Sequence, residues 1–272
     1  MKLYHGTNYS SAINIMTNGI ILEYSKKYLD FGSGFYTTPS YDHAALSAMR
    51  TTDKYNKKYK KHEEPYIVTM DFTLNKNVVL SVGQYVRHSE RWGKFVLNNR
   101  LTKEILEAYD IKEHNQDGRY DICYGEIADG NIANIAYQVN IGNISPENVD
   151  YHKFLKDIGK EYPQQYSFHS EKAFSCITLL SCDIITKKKI SKVNRKRVNS
   201  MTNVEIREFK GFVKDALVRE YNMNEVEAYR AVQNSYLSEA LRRDRNYVEH
   251  DTVEEWAEFI CNEIHQNELL RM

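Results

Sequence analysis

Residues 187–197 read KKKISKVNRKR, seven basic side chains with no acid among them. A run of that charge density resists burial in a core, so it reads as a linker and divides the chain. The patterns on its two sides differ. Upstream, short apolar segments of strand length alternate with isolated helical stretches. Downstream, residues 205–221, 224–241 and 252–267 each carry apolar residues at helical spacing, which predicts three helices. Residues 203–272 also hold 15 acidic against nine basic residues, while the whole chain carries 37 of each. The expected organisation is an α+β domain over 1–186, a basic linker over 187–202 and a small all-α domain over 203–272.

Within the first part, Leu3-Tyr4-His5 predicts a strand that runs into a turn at Gly6-Thr7. Ser10 or Ser11 caps a helix that ends before Gly19. Ile20-Ile21-Leu22 predicts a second strand. Gly32-Ser33-Gly34 followed by Phe35-Tyr36-Thr37-Thr38 predicts a tight loop feeding a strand, and Tyr41–Met49 a helix. Residues 54–61, KYNKKYKK, read as a basic loop, solvated or able to grip a phosphate backbone. Further strands are expected at 66–72, 78–80, 121–127 and 165–169, with a helix over 89–99. The mixed order of short elements speaks against a doubly wound sheet, and neither a G-x-G-x-x-G nor a P-loop motif is present.

The chain's 272 residues, 42% hydrophobic and 27% charged, suit a folded protein rather than a disordered one. No stretch approaches the ~20 apolar residues that span a bilayer. The opening MKLYHGTNYSS lacks a signal pattern, so a cytoplasmic protein without a membrane partner is expected. The four cysteines form no C-x-x-C pair and the histidines are scattered, so no metal site is expected.

The residues with chemical potential sit in three short motifs. Leu3-Tyr4-His5-Gly6-Thr7 resembles the first motif of the ADP-ribosyltransferase superfamily, in its poly(ADP-ribose) polymerase and diphtheria-toxin-like branch. Gly32-Ser33-Gly34-Phe35-Tyr36-Thr37-Thr38-Pro39-Ser40, leading into Ala44-Ala45, resembles the second. The run through YDICYGEIAD and QQYSFHSEKA is similar to a bacterial family of unknown function with an ADP-ribosyltransferase-like domain, and the resemblance covers roughly 1–182. Residues 203–272 resemble, more weakly, a small helical domain encoded beside or fused to it.

The resemblance implies a split mixed sheet that binds NAD+ as a substrate and transfers one ADP-ribose to a macromolecule, protein or nucleic acid. It also implies a bacterial toxin–antitoxin, phage or defence setting, with an antitoxin or the chain's own C-terminal domain as a partner. Hydrolysis of NAD+ alone, or a degenerate fold that only binds ADP-ribose or a partner, are the alternatives. The matching residues would be catalytic His5, Tyr36 and Gln165. Those around the dinucleotide would be His5, Gly6, Thr7, Gly34, Phe35, Tyr36 and Ser40. His5 would donate a hydrogen bond to a ribose hydroxyl, Gly6 would let backbone groups approach the carboxamide, and Tyr36 would wall the nicotinamide pocket.

Two positions depart from the pattern. The third motif usually supplies Glu, where this chain has Gln165, which accepts and donates hydrogen bonds but is no base. That favours single transfer or hydrolysis over chain elongation. Glu171 is the nearest carboxylate downstream, at the start of a helix where acids are common. The second aromatic of the polymerases falls at Leu46 or Ser47. Asp121 reads equally as a strand-edge acid or as a group that orients an acceptor. Arg100 suits a helix C-terminus, or the grip of a pyrophosphate.

Overall fold

The computed structural model describes residues 1–85, 89–128, 131–151, 163–185, 203–243, 248 and 251–269. The expected linker over 187–202 lies outside them. The described chain divides into two compact units, Met1–Ala128 with Asn148–Arg195, and Asp129–Glu147 with Lys196–Met272.

The first unit is α+β with two sheets. In the first sheet, β1 (Lys2–Asn8), β3 (Pro65–Phe72) and β7 (Ile177–Ile184) lie in the order β1-β3-β7, antiparallel throughout. In the second, β2 (Phe35–Thr37), β4 (Val82–Tyr85), β5 (Ile122–Glu126) and β6 (Gln164–Phe168) lie in the order β2-β6-β5-β4. There β4 and β5 are parallel and the other pairs antiparallel. Alternate residues of each strand point to opposite faces. Leu3, Val68 and Met70 of one sheet thereby share a core with Ile122 and Phe168 of the other, joined by Ala12 of α1 (Tyr9–Asn18) and Ala173 of α6 (Glu171–Phe174).

The outer faces are covered by helices. Ala44, Ala45 and Ala48 of α2 (Tyr41–Tyr59) pack on Ile67 and Ile185, where three methyl side chains keep the helix low on the sheet. On the second sheet, Phe95 of α3 (Glu90–Arg100) stacks on Tyr85 with centroids 3.7 Å apart, and Phe31 lies 6.2 Å from Phe95. Ser89 caps α3 through its hydroxyl, which accepts from the Trp92 N–H. A short α4 (Lys103–Ala108) follows.

Several local expectations change. Ile20-Ile21-Leu22 forms no strand; the chain makes a 3-10 turn at Leu22–Tyr24. The strand expected at 78–80 begins at Val82. The basic segment 54–61 is no loop up to Tyr59: α2 continues through it, and Asn56 holds its end to the next strand by accepting from Glu63 N–H and donating to the Glu63 carbonyl. Lys60 closes the helix in the left-handed region.

The second unit is all helical among its described residues. It contains α5 (Asn131–Asn140), α7 (Asn203–Tyr221), α8 (Glu225–Asn234), α9 (Tyr236–Arg243) and α10 (Val253–Leu269). The single helix expected over 224–241 breaks at Ser235, whose hydroxyl turns back to the Val232 carbonyl. Trp256, Phe259 and Ile260 pack in one cluster with Phe209, Phe212 and Val213. Tyr137 of α5 belongs to this cluster, so residues 129–147 group with the helices rather than with the first 186 residues.

Candidate active site

The site begins where β1 and β2 part. The Tyr4 N–H donates to the Thr38 carbonyl and the Thr38 N–H to the Tyr4 carbonyl, both at 2.9 Å. In an antiparallel pair the next residues to bond across this edge would be Gly6 and Tyr36. No backbone bond joins them. The His5 imidazole takes the position instead, with Nδ1 donating to the Tyr36 carbonyl at 2.7 Å. Tyr4 spends its backbone groups on β2, so Gly6, two residues on, also turns its N–H and C=O away from β3 and toward the parted strand.

A carbonyl only accepts, so His5 Nδ1 carries the proton and Nε2 of the neutral ring is a lone-pair acceptor. Burial lowers the His5 pKa, opposed by the bond to Tyr36, which keeps the ring neutral near pH 7. The ring lies against Phe35 with centroids 4.6 Å apart, and Nε2 bonds to no described residue. Gly6 has a second reason to be glycine. A Cβ there would stand 1.9 Å from the Ala44 carbonyl oxygen, inside α2.

Tyr36 lies on the opposite face of β2 from Phe35 and holds the glycine-rich loop closed. Its hydroxyl donates to the Gly32 carbonyl at 2.7 Å and accepts from the Phe31 N–H at 2.9 Å. Burial, with Asp30 nearby, raises its pKa well above the usual value. Most of the loop's other polar groups are also engaged. The Asp30 carbonyl accepts from Asn99 at 3.3 Å, the Phe31 carbonyl from Asn115 at 3.3 Å and the Ser33 carbonyl from His169 Nδ1 at 2.7 Å. Gly34 N–H donates to Ser25 Oγ at 2.6 Å. Gly32 takes φ +86°, a left-handed backbone that glycine adopts without strain. Hydrogen bonds thus tie this loop to Tyr36, Asn99, Asn115, His169 and Ser25.

Behind it lies a buried charge that the sequence reading did not single out. Asp30 Oδ1 accepts from Arg100 Nε at 3.1 Å and Nη2 at 2.7 Å. Its Oδ2 accepts from Ala128 N–H at 3.1 Å and from Gln165 Nε2 at 2.8 Å. Burial alone would raise the Asp30 pKa, but Arg100 and these donors outweigh it and hold the group ionised. Gln165 shares its face of β6 with Ser167, which pairs with Tyr36, so Tyr36, Gln165, Asp30 and Arg100 gather on one side of the second sheet. Only the DFGSG context hinted at Asp30, since a loop acid beside glycines is usually a turn former.

The other expected residues divide. Thr7 continues β1 and its carbonyl receives the Thr52 hydroxyl at 3.5 Å. Gly34 leaves room for His169, whose Nδ1 would be 2.5 Å from a Cβ. Ser40 caps α2 through the His43 N–H. Asp121 is a staple at the far end of β5 and β6, roughly 13 Å of strand from Gln165. Its carboxylate accepts from Ser170 Oγ at 2.5 Å and Ser81 N–H at 2.8 Å, bonds that lower its pKa against the effect of burial. Glu171 is exposed in the first turn of α6 and borders an open groove of about 380 Å³ with Asn18, Gly19 and Phe174. Arg100 is spent on Asp30 rather than turned to solvent. Among the described residues no three His, Cys, Asp or Glu side chains group to hold a metal, and no described helix is long and apolar enough to cross a membrane.

Residues 1–179 match the family described as Protein of unknown function (DUF3990), and the chain belongs to that family. No curated protein and no solved structure matches the chain.

Proposed function

We propose that this chain is an NAD-dependent ADP-ribosyltransferase that transfers a single ADP-ribose to a macromolecular acceptor. The observation that carries the reading is the parting of β1 from β2 after the Tyr4–Thr38 bridge, opposite the Tyr36 carbonyl that His5 holds. Gly6 then offers one N–H and one C=O side by side. That pair is complementary to a primary carboxamide, which donates one hydrogen bond and accepts another. The nicotinamide group of NAD+ has this chemistry.

His5 and Gln165 would act on the ribose. The His5 ring lies on the Phe35 face of β2 and Gln165 on the Tyr36 face, so a ribose met by both would have to sit in the gap where β1 and β2 part. His5 Nε2, a lone pair at neutral pH, accepts from a ribose hydroxyl, where the motif alone suggested a donor. The Gln165 carbonyl oxygen faces no protein donor among the described residues and suits a ribose hydroxyl or the ring carbon as positive charge develops on it. When the C–N glycosidic bond breaks, its electron pair leaves with nicotinamide, and the acceptor's nucleophile forms the new bond to the ribose carbon and gives up its proton to solvent. Gln165 cannot remove the acceptor's proton, which favours a single transfer over repeated elongation.

The test is incubation of the protein with NAD+ labelled in the adenylate half and a whole-cell extract, with nicotinamide release measured in parallel. Label on a protease- or nuclease-sensitive species, together with released nicotinamide, supports transfer. Release without label identifies hydrolysis. No release at micromolar enzyme refutes the reading.

A further inference from the structure

We infer that Asp30 is the positioning carboxylate of this site, and that residue 165 is glutamine because Asp30 stands beside it. The inference deepens the proposed function and rests on it for its catalytic half.

Every oxygen of the Asp30 carboxylate is an acceptor, and all of its described partners are donors: Arg100 on Oδ1, Ala128 N–H and Gln165 Nε2 on Oδ2. Asp30 and Gln165 are both buried. A glutamate at 165 would set a second carboxylate about one hydrogen-bond length from the first, with Arg100 the single cation paired to them among the described residues. Two such anions cannot both stay ionised, so one would have to keep a proton. Glutamine has glutamate's length and replaces the facing oxygen with a donor. It is therefore the residue that Asp30 selects, and not the remnant of a lost acid.

The bond has a consequence for the free end of the amide. Anchoring Nε2 to Asp30 fixes the amide plane and so the direction of Oε1. An ionised acceptor on the N–H side also polarises the amide and makes Oε1 more negative. A neutral side chain would in this way present part of the charge of a carboxylate where the ribose cation forms.

The experiment compares the full-length parent with Gln165→Glu, Asp30→Asn and the exchanged pair Asp30→Asn/Gln165→Glu. Thermal unfolding is followed from pH 8 to pH 5.5, with kcat and KM for nicotinamide release. Among the described residues, the ionisable groups on this side of the second sheet include Asp30, Arg100, Tyr36, Cys123 and His169, and Glu126 stands opposite Gln164 on β5. Burial keeps Tyr36 and Cys123 protonated and His169 neutral through most of this range. Gln165→Glu should lower Tm by at least about 5 °C at pH 8. At least half of that gap should close at pH 5.5, because a protonated Glu at 165 donates its O–H to Asp30 as the amide did. The folded-state pKa of the new acid is raised, so its destabilising effect grows as pH rises.

Turnover at pH 8 should fall at least about 10-fold with KM changed by less than about 3-fold. The exchanged pair, which keeps one carboxylate and one amide, should recover most of the lost Tm and at least part of kcat. A Gln165→Glu protein as stable as the parent at pH 8, or an exchanged pair no more stable than the worse single variant, overturns the inference. If Gln165→Glu does not fold at any pH, the exchanged pair decides alone: folded supports the inference, unfolded overturns it. If the stabilities follow the exchange but the parent releases no nicotinamide, the pairing of Asp30 with Gln165 stands and the proposed function fails.

Discussion

His5 reaches across from β1 and donates from Nδ1 to the Tyr36 carbonyl of β2 at 2.7 Å, where a backbone bond from Gly6 would otherwise close the two strands. One side chain thus joins the sheets and keeps them apart at the same point. Replacing it tests both roles. His5→Ala removes the strut and the Nε2 acceptor, and nicotinamide release should fall more than about 10-fold, since misplacement by about 1 Å can cost ~100-fold. His5→Asn restores a donor near the Nδ1 position without the distal nitrogen. It should recover stability relative to His5→Ala but not turnover. Equal activity of His5→Asn and parent would show that Nε2 has no part in the chemistry.

The Tyr36 hydroxyl closes the loop on itself through Phe31 N–H and Gly32 C=O. Tyr36→Phe leaves both backbone groups short of a partner in a part-buried loop. The expected cost is ~1–3 kcal/mol of stability, read as a shift in the denaturant midpoint at constant slope. The ring itself remains, so KM for NAD+ should change less than in Tyr36→Ala. A midpoint equal to the parent's would mean that the loop is held by its other bonds alone.

Gly6→Ala separates packing from ligand access. The new methyl would lie 1.9 Å from the Ala44 carbonyl oxygen and 2.7 Å from the Ala48 nitrogen, both backbone atoms of α2. Overpacking of this kind costs on the order of 1–3 kcal/mol and sometimes more. The helix must lift from the sheet, so thermal stability should fall even without NAD+. An unchanged Tm with weakened NAD+ binding would place the constraint on the ligand side instead.

Buried neutral histidines give the stability a definite pH trend. Burial lowers the pKa of both His5 and His169, and each ring donates from Nδ1 to a carbonyl. The unfolded chain then binds more protons than the folded one just below the usual histidine pKa, so stability rises with pH there. Tm should be level above about pH 7 and decline as pH falls below about 6.5. Asp30, whose folded pKa is depressed, adds a further loss that begins as pH falls through the ordinary Asp range near about 4 and continues below it. His169→Asn should flatten the first decline; a parent Tm that is constant from pH 7.5 to 5.5 contradicts the assignment of neutral rings.

The sequence made some of this legible and concealed the rest for physical reasons. The strands that carry His5, Tyr36 and Gln165 were legible in part, as Leu3–His5, as the aromatic run after Gly34 and as residues 165–169, but the turn expected at Gly6-Thr7 is strand, since β1 runs on to Asn8. The continuation of α2 through Tyr59 was hidden, because polar and basic residues carry little periodic signal once the alanine face has ended. Asp30 was missed because its partners, Arg100 and Gln165, are 70 and 135 residues away in sequence. Arg100 looked like a dipole-compensating end residue for the same reason. The grouping of residues 129–147 with the C-terminal helices depends on a long-range contact of Tyr137 that no local pattern announces.

That last contact changes what truncation should do. The Tyr137 ring packs 5.5 Å from Phe212, and Ile141 lies against the same cluster. A chain cut after Arg197 keeps α5 and loses α7 to α10, leaving this apolar surface uncovered. Fragment 1–197 should therefore bind a hydrophobic dye and self-associate, and Tyr137→Lys with Ile141→Lys should restore a monomer. In the full chain, Tyr137→Ala should cost about 3–5 kcal/mol, as large aromatic-to-alanine changes in a core do. Tyr137→Phe should be neutral or slightly stabilising, because the Tyr137 hydroxyl is buried without a hydrogen-bond partner. Light scattering and calorimetry on these five proteins check the set. A fragment 1–197 that is monomeric and melts at the parent's temperature would show that α5 does not need the C-terminal helices.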